Sequence, residues 1–136
     1  MVLKDNQFRC IQQLEEQKIL KLTWKDESDL LNNQIATYKA LILEWAAIVK
    51  RQKPKAVLVD TREHRVIIEP ALQAWFVSDI FPKYVQSGMK KLAFLASQDF
   101  ISQLSIVQTM NEETELPFQT EYFACEKEGF NWVCNQ

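Results

Sequence analysis

Glycine is nearly missing from this chain: 136 residues contain only Gly88 and Gly129. Glycine supplies positive φ and lets the backbone approach a ligand closely, so a phosphate-cradling loop has little to be built from. Neither a Gly-x-Gly-x-x-Gly nor a Walker pattern occurs, nor a Gly-x-Ser-x-Gly or His-Glu-x-x-His. Histidine occurs once, at His64, and cysteine three times, at Cys10, Cys125 and Cys134, with no Cys-x-x-Cys spacing. An odd, scattered set of thiols and one imidazole make neither a disulfide framework nor a four-ligand zinc site. No cofactor and no metal are therefore expected. Also missing are an apolar run of roughly 18 residues, as a membrane span requires, and the apolar core of a secretory signal after Met1. The expectation is a cytoplasmic protein with no membrane span. Excess charge of one sign is absent too: 16 Lys and Arg stand against 18 Asp and Glu, for a net charge of −2. That balance leaves no basic footprint for nucleic acid. The densest basic stretch, Lys50 to Lys55, reads as cations at the negative end of a helix that Pro54 stops.

What is present is ordinary globular composition, 47% hydrophobic and 25% charged, in a length that suits one domain spanning residues 1–136. Phe8 to Gln13 reads as a first strand and Lys18 to Trp24 as a second, joined by a polar hairpin loop at Leu14 to Gln17. In the second strand Leu20, Leu22 and Trp24 alternate with more polar neighbours, the period-2 pattern of a half-buried strand. A long helix follows, with Ser28 as its N-cap and Leu31, Ile35, Tyr38, Ile42, Trp45 and Val49 as its apolar stripe. Lys55 to Asp60 is a short, continuous, β-branched run, the composition of a central strand buried on both faces. After a charged loop, Pro70 suits the first turn of a helix bearing Leu72, Trp75, Phe76 and Ile80, and Pro82 should kink or break that helix. Gly88 marks its end. Leu92 to Ala96 is the next strand, followed by a helix capped by Ser97 and packing through Phe100, Leu104, Val107 and Met110. An acidic linker from Asn111 to Glu115, a last strand at Phe118 to Ala124 and a short helix at Glu126 to Cys134 complete the chain.

This alternation predicts an α/β fold in three α-β-α layers, with about five mostly parallel strands, an N-terminal antiparallel hairpin and helices on both faces. The segments KAVLVDTRE, ALQAW, GMKKLAFLAS and EYFACEKEGFNWV, in that order, resemble the SpoIIAA-like family of STAS domains, which is also compared with the lipid-binding Sec14 fold. The likeness extends over residues 7 to 133. It implies a small regulatory or protein-interaction domain, not an enzyme. In the better-understood STAS relatives a Ser or Thr beside an Asp at a helix start is phosphorylated to switch partner binding. The matching place here is Asp60-Thr61, although bulky charged residues follow it where the relatives have a small, glycine-containing turn.

Three surfaces are candidates. Open α/β sheets bind ligands at the carboxyl ends of strands, near a topological switch point. Asp60, Thr61, Arg62, His64 and Arg65 should lie there, either clamping an anion through the two guanidiniums and the imidazole or pairing among themselves in a solvated loop. Val66, Ile67 and Ile68 are three consecutive β-branched residues that are either exposed as an interface, with a C2 homodimer the commonest result, or packed as a buried segment. Phe81 and Tyr84, flanking the proline kink, extend that candidate interface. The same kink offers a cleft for a small apolar or lipid-like ligand, with Trp45, Trp75 and Phe94 lining a dry cavity. The function expected is thus a non-enzymatic regulatory or protein-interaction domain with an unidentified protein partner, and the alternative is a carrier.

Overall fold

The computed structural model describes residues 1–14, 18–113 and 115–135. Residues 15–17 of the expected hairpin loop and Thr114 of the acidic linker lie outside the described residues. The sheet has six strands where about five were expected, and their order is the chain order: β1 (Val2–Asp5), β2 (Arg9–Leu14), β3 (Ile19–Trp24), β4 (Ala56–Asp60), β5 (Lys91–Leu95) and β6 (Gln119–Phe123). The first three form an antiparallel meander, and β3 to β6 run parallel. β1 is the added element, an edge strand with a register shift between Val2 and Lys4. A bulge and flanking Lys4 and Asp5 are ordinary protections of an edge.

The helices follow from their sequences. A 3₁₀ segment at Asp26–Asn33 precedes α1 (Ile35–Gln52), so Ser28 caps no helix. Tyr38, Ile42, Trp45 and Val49 of α1 are buried as their spacing predicts. Lys50 and Arg51 fall in its last turn, and Lys53 leaves it in the left-handed region before Pro54. The stretch after β4 forms α2 (Pro70–Trp75), a π-helical turn at Phe76–Ile80 and α3 (Phe81–Ser87). Pro82 thus widens the helix instead of breaking it, because a π turn moves the proline ring off the carbonyl it would strike in an α-helix. Gly88 closes the helix at φ 81°. The remaining helices are α4 (Phe100–Asn111) and α5 (Glu126–Cys134).

The strand order steps in one direction, so crossovers of one hand set α1, α2, α3 and α4 on one face. There Leu22, Val57, Val59, Leu92 and Phe94 meet side chains of all four helices in the main core. The opposite face carries α5, packed through Val133 against Ala56, Leu58, Ala93 and Leu95. The sheet is covered on both faces as expected, but unevenly. Gly129 lets α5 come close: a Cβ there would stand 2.9 Å from Leu95 and 3.4 Å from Leu58. β4 is buried along its whole length.

Candidate functional site

The segment from Thr61 to Glu69, between β4 and α2, carries seven of the candidate residues. It has no regular structure, yet it is largely buried: Thr61, His64, Val66 and Ile68 are all in the interior. A buried loop must find partners for its backbone, and serine hydroxyls supply five of them. Ser28 donates from its Oγ to the Glu63 carbonyl at 2.9 Å and accepts the Arg65 N–H at 3.0 Å. Ser97 donates to the His64 carbonyl at 2.9 Å, Ser102 to the Val66 carbonyl at 3.1 Å, and Ser105 accepts the Ile68 N–H at 3.1 Å. Asn32 brackets Ile67, donating to the Arg65 carbonyl and accepting the Ile67 N–H. Ser28 and Ser97, which the sequence pattern assigns to helix caps, hold this loop instead. The cap of α4 is Asp99, whose carboxylate accepts the Ser102 N–H.

His64 lies at the centre. Its Nδ1 is 2.8 Å from Ser102 Oγ and its Nε2 is 3.0 Å from Tyr38 Oη. Because Ser102 gives its proton to Val66, it accepts from Nδ1–H, and Tyr38 then donates to Nε2. The chain Tyr38 to His64 to Ser102 to Val66 runs in one direction and leaves neither ring nitrogen of His64 unpaired. Trp24 packs edge-on to the ring, with centroids 5.2 Å apart. Burial lowers the imidazole pKa to about 3, against a small opposing effect of the Asp99 charge. Burial likewise raises the Tyr38 phenol far above its ordinary value. The histidine is neutral, enclosed and fully bonded.

The other charged candidates go elsewhere. Asp60 points to the α5 face and grips Arg62, taking Nε at 3.0 Å and the terminal nitrogen at 2.7 Å. That hydrogen bond is the main reason the guanidinium pKa is raised. Glu126 extends the group, 4.0 Å from Arg62 and 3.1 Å from Lys21 Nζ. Arg65 pairs with Glu63 at 2.6 Å on the surface. Thr61 donates its hydroxyl to the Leu95 carbonyl from a buried position, so in this conformation it presents no free hydroxyl to a modifying enzyme. Arg62, His64 and Arg65 therefore do not converge on one point: the sheet separates the first from the second, and each arginine has its own carboxylate. The order of strands never reverses either, so the switch point that would have marked a crevice here does not exist.

The candidate interface is also redistributed. Val66, Ile68, Phe81 and Tyr84 belong to the main core, and of that set Ile67 alone is exposed, at 42%. Three exposed apolar residues cluster on α4. Phe100 is 77% exposed, Ile101 51% and Leu104 45%, and their spacing puts them along one side of the helix. The buried side of the same helix carries Ser102, Ser105, Ile106, Thr109 and Met110. The stripe expected to face the core through Phe100 and Leu104 is turned outward. The cause is the loop: its carbonyls and amides need hydroxyls, and α4 offers them only on the side it buries. No residue of α4 is charged.

Two spaces remain. A core cavity of about 50 Å³ lies among Leu22, Ile42, Phe94, Ile106 and Met110, with the side chains of Tyr38, Thr61, Tyr84 and Thr109 also in its wall. Trp45 and Phe94 line it as expected, whereas Trp75 does not and instead sits under the Lys39 ammonium, 5.3 Å from its ring centroid. The second is an open groove of about 420 Å³ beside Pro82, between Val77, Phe81 and Val85 on one side and Glu113, Glu115, Leu116 and Pro117 on the other. Among the described residues no helix is long and apolar enough to cross a membrane. Compared with known proteins, the chain matches no family model, no curated protein and no solved structure.

Proposed function

We propose that this chain is a non-enzymatic protein-interaction domain of the STAS type, as its SpoIIAA-like sequence resemblance implies, and that its partner-facing surface is the outer side of α4. The observation that carries the reading is the run of Phe100, Ile101 and Leu104, exposed together on one helix. Single exposed apolar residues are ordinary, but a contiguous patch marks an interface. A second copy of the chain is the partner this surface fits best. Two uncharged helices can meet across a twofold axis without placing like charges opposite each other, and self-complementarity is what a C2 contact requires. The buried His64, with both ring nitrogens bonded, supports a role other than catalysis, since it has no free valence for a substrate. Sedimentation equilibrium across a hundredfold concentration range tests the reading. A monomer–dimer equilibrium supports it, and a monomer at every concentration rules out the self-contact.

A second reading, a carrier of a small apolar or lipid-like ligand, has one observation in its favour. The groove at Pro82 falls within the roughly 300–1,000 Å³ of ordinary ligand sites and has one apolar wall, of Val77, Phe81 and Val85, facing a wall that includes Glu113 and Glu115. Native mass spectrometry separates the two: mass that disappears on denaturation supports a carrier, and a bare dimer supports the interaction domain.

A further inference from the structure

The core cavity is distinct from the Pro82 groove, although Phe81 borders both. Its wall is apolar apart from the neutral His64 ring, the indoles of Trp24 and Trp45 and a few hydroxyls, and those hydroxyls differ in one respect. Tyr38 gives its proton to His64, Thr61 to the Leu95 carbonyl and Thr109 to the Ser105 carbonyl. Tyr84 accepts the Trp45 indole N–H at 2.9 Å, and its own proton has no acceptor among the described residues. Tyr84 is 6% exposed. A buried hydroxyl proton without an acceptor is unfavourable and rare. Tyr38, having donated, keeps an acceptor lone pair unused. The same cavity is therefore bordered by one donor in want of an acceptor and one acceptor in want of a donor, which is the complement of a hydroxyl group.

Size and charge narrow the occupant further. One water needs about 10–15 Å³ of such space, so about 50 Å³ corresponds to a molecule of roughly three to five heavy atoms. A lipid or drug-sized ligand is too large. An ion is excluded by desolvation, since no charged side chain lines the cavity. The helix that supplies Phe76 and Tyr84 contains the π turn, a feature frequent beside functional sites.

We propose that this cavity is a binding site for a small neutral molecule of the alcohol class, its oxygen accepting from Tyr84 and donating to Tyr38, its carbon body against Ile42, Ile106 and Met110. The site goes beyond the interaction surface and does not depend on it.

The test is a methyl-labelled NMR titration with 2-propanol, with xenon as a probe that fits an apolar cavity but carries no oxygen. Saturable shifts at the Ile42, Ile68, Ile106 and Met110 methyls, with exposed Ile101 unmoved, are expected. Tyr84→Phe should weaken 2-propanol by up to about tenfold, the scale of one hydrogen bond, and leave xenon binding unchanged. If Tyr84→Phe does not fold, Ile106→Phe fills the cavity without touching the hydroxyls and should abolish both. Shifts that rise linearly at exposed and buried methyls alike would overturn the proposal. So would saturable binding that is indifferent to Tyr84→Phe, binding that survives Ile106→Phe, or a long-lived water at Tyr84 that 2-propanol cannot displace.

Discussion

α1 and α4 lie on the same face of the same sheet and satisfy burial in opposite ways. α1 is amphipathic in the usual sense: Tyr38, Ile42, Trp45 and Val49 enter the core, while Glu44, Lys50 and Arg51 face water. Even its polar reach serves packing, since Glu44 and the Leu41 carbonyl receive the guanidinium of Arg9, a buried arginine on β2. α4 buries three hydroxyls, Ser102, Ser105 and Thr109, beside only Ile106 and Met110, and exposes Phe100, Ile101 and Leu104. The difference comes from what each helix covers. α1 packs on strands whose backbone is already paired, so it needs only apolar contact. α4 covers an irregular segment whose backbone is unpaired until a side chain reaches it. A helix laid over a loop must bring hydrogen bonds inward, and its apolar residues are left for the other side.

The largest effect expected from this contrast lies on α1. Trp45→Ala removes a buried indole that fills the core and bonds Tyr84, and should cost about 4 kcal/mol in a denaturant titration. On α4 the corresponding probe is a hydroxyl. Ser102→Ala leaves the His64 Nδ1–H and the Val66 carbonyl unpaired in the interior, at about 2–3 kcal/mol. If Ser102→Ala cost nothing while Ile106→Ala cost several kcal/mol, α4 would be an ordinary apolar helix and the contrast would fail.

Much of the architecture can be read from the residues. The period-2 pattern of β3, the β-branched run of β4, the spacing along α1 and the α5 segment from Glu126 to Cys134 all lie close to where pattern alone puts them. The phase of α4 does not. Phe100, Leu104 and Val107 form one helical stripe and Ser102, Ile106 and Thr109 another, and hydrophobicity favours the first. What decides for the second is the hydrogen-bond demand of residues far off in sequence, Val66 and Ile68, and no local pattern carries that. The same applies to Ser28 and Ser97, whose composition suits caps but whose partners are loop carbonyls. β1 was hidden because four largely exposed residues with a bulge have no periodicity to show. The anion clamp at Arg62, His64 and Arg65 fails because each side chain has a partner of its own: Asp60 holds Arg62, Tyr38 and Ser102 draw His64 into the core, and Glu63 pairs with Arg65.

A third effect sharpens the contrast through pH. His64 has a folded-state pKa of about 3, below the ordinary value of about 6.5. In the unfolded chain the imidazole takes up a proton as pH falls below about 6.5, while the folded chain resists it. Stability is therefore complete above the unfolded pKa and declines as pH falls toward 3, by at most about 1.4 kcal/mol per pH unit. The difference in pH slope between the native chain and His64→Leu, measured by chemical denaturation between pH 6.5 and 4, should show this loss. Identical slopes would mean that the ring is accessible in the folded state and that the serine-held loop opens readily.

The smallest effect on monomer stability, and the most informative for function, is expected on the outer side of α4. Replacing both Phe100 and Leu104 by Ser removes apolar groups that touch water in the isolated chain, so the folding free energy measured at low concentration should change by no more than about 0.5 kcal/mol. The same double variant should abolish self-association at concentrations where the native chain dimerises, because the patch is where two uncharged helices would meet. The two readouts are independent. Loss of association with unchanged stability separates an interface from a core. A stability loss of 2 kcal/mol or more, the scale of large-to-small changes in a core, would place Phe100 and Leu104 inside the protein, and the inversion of α4 relative to α1 would be wrong.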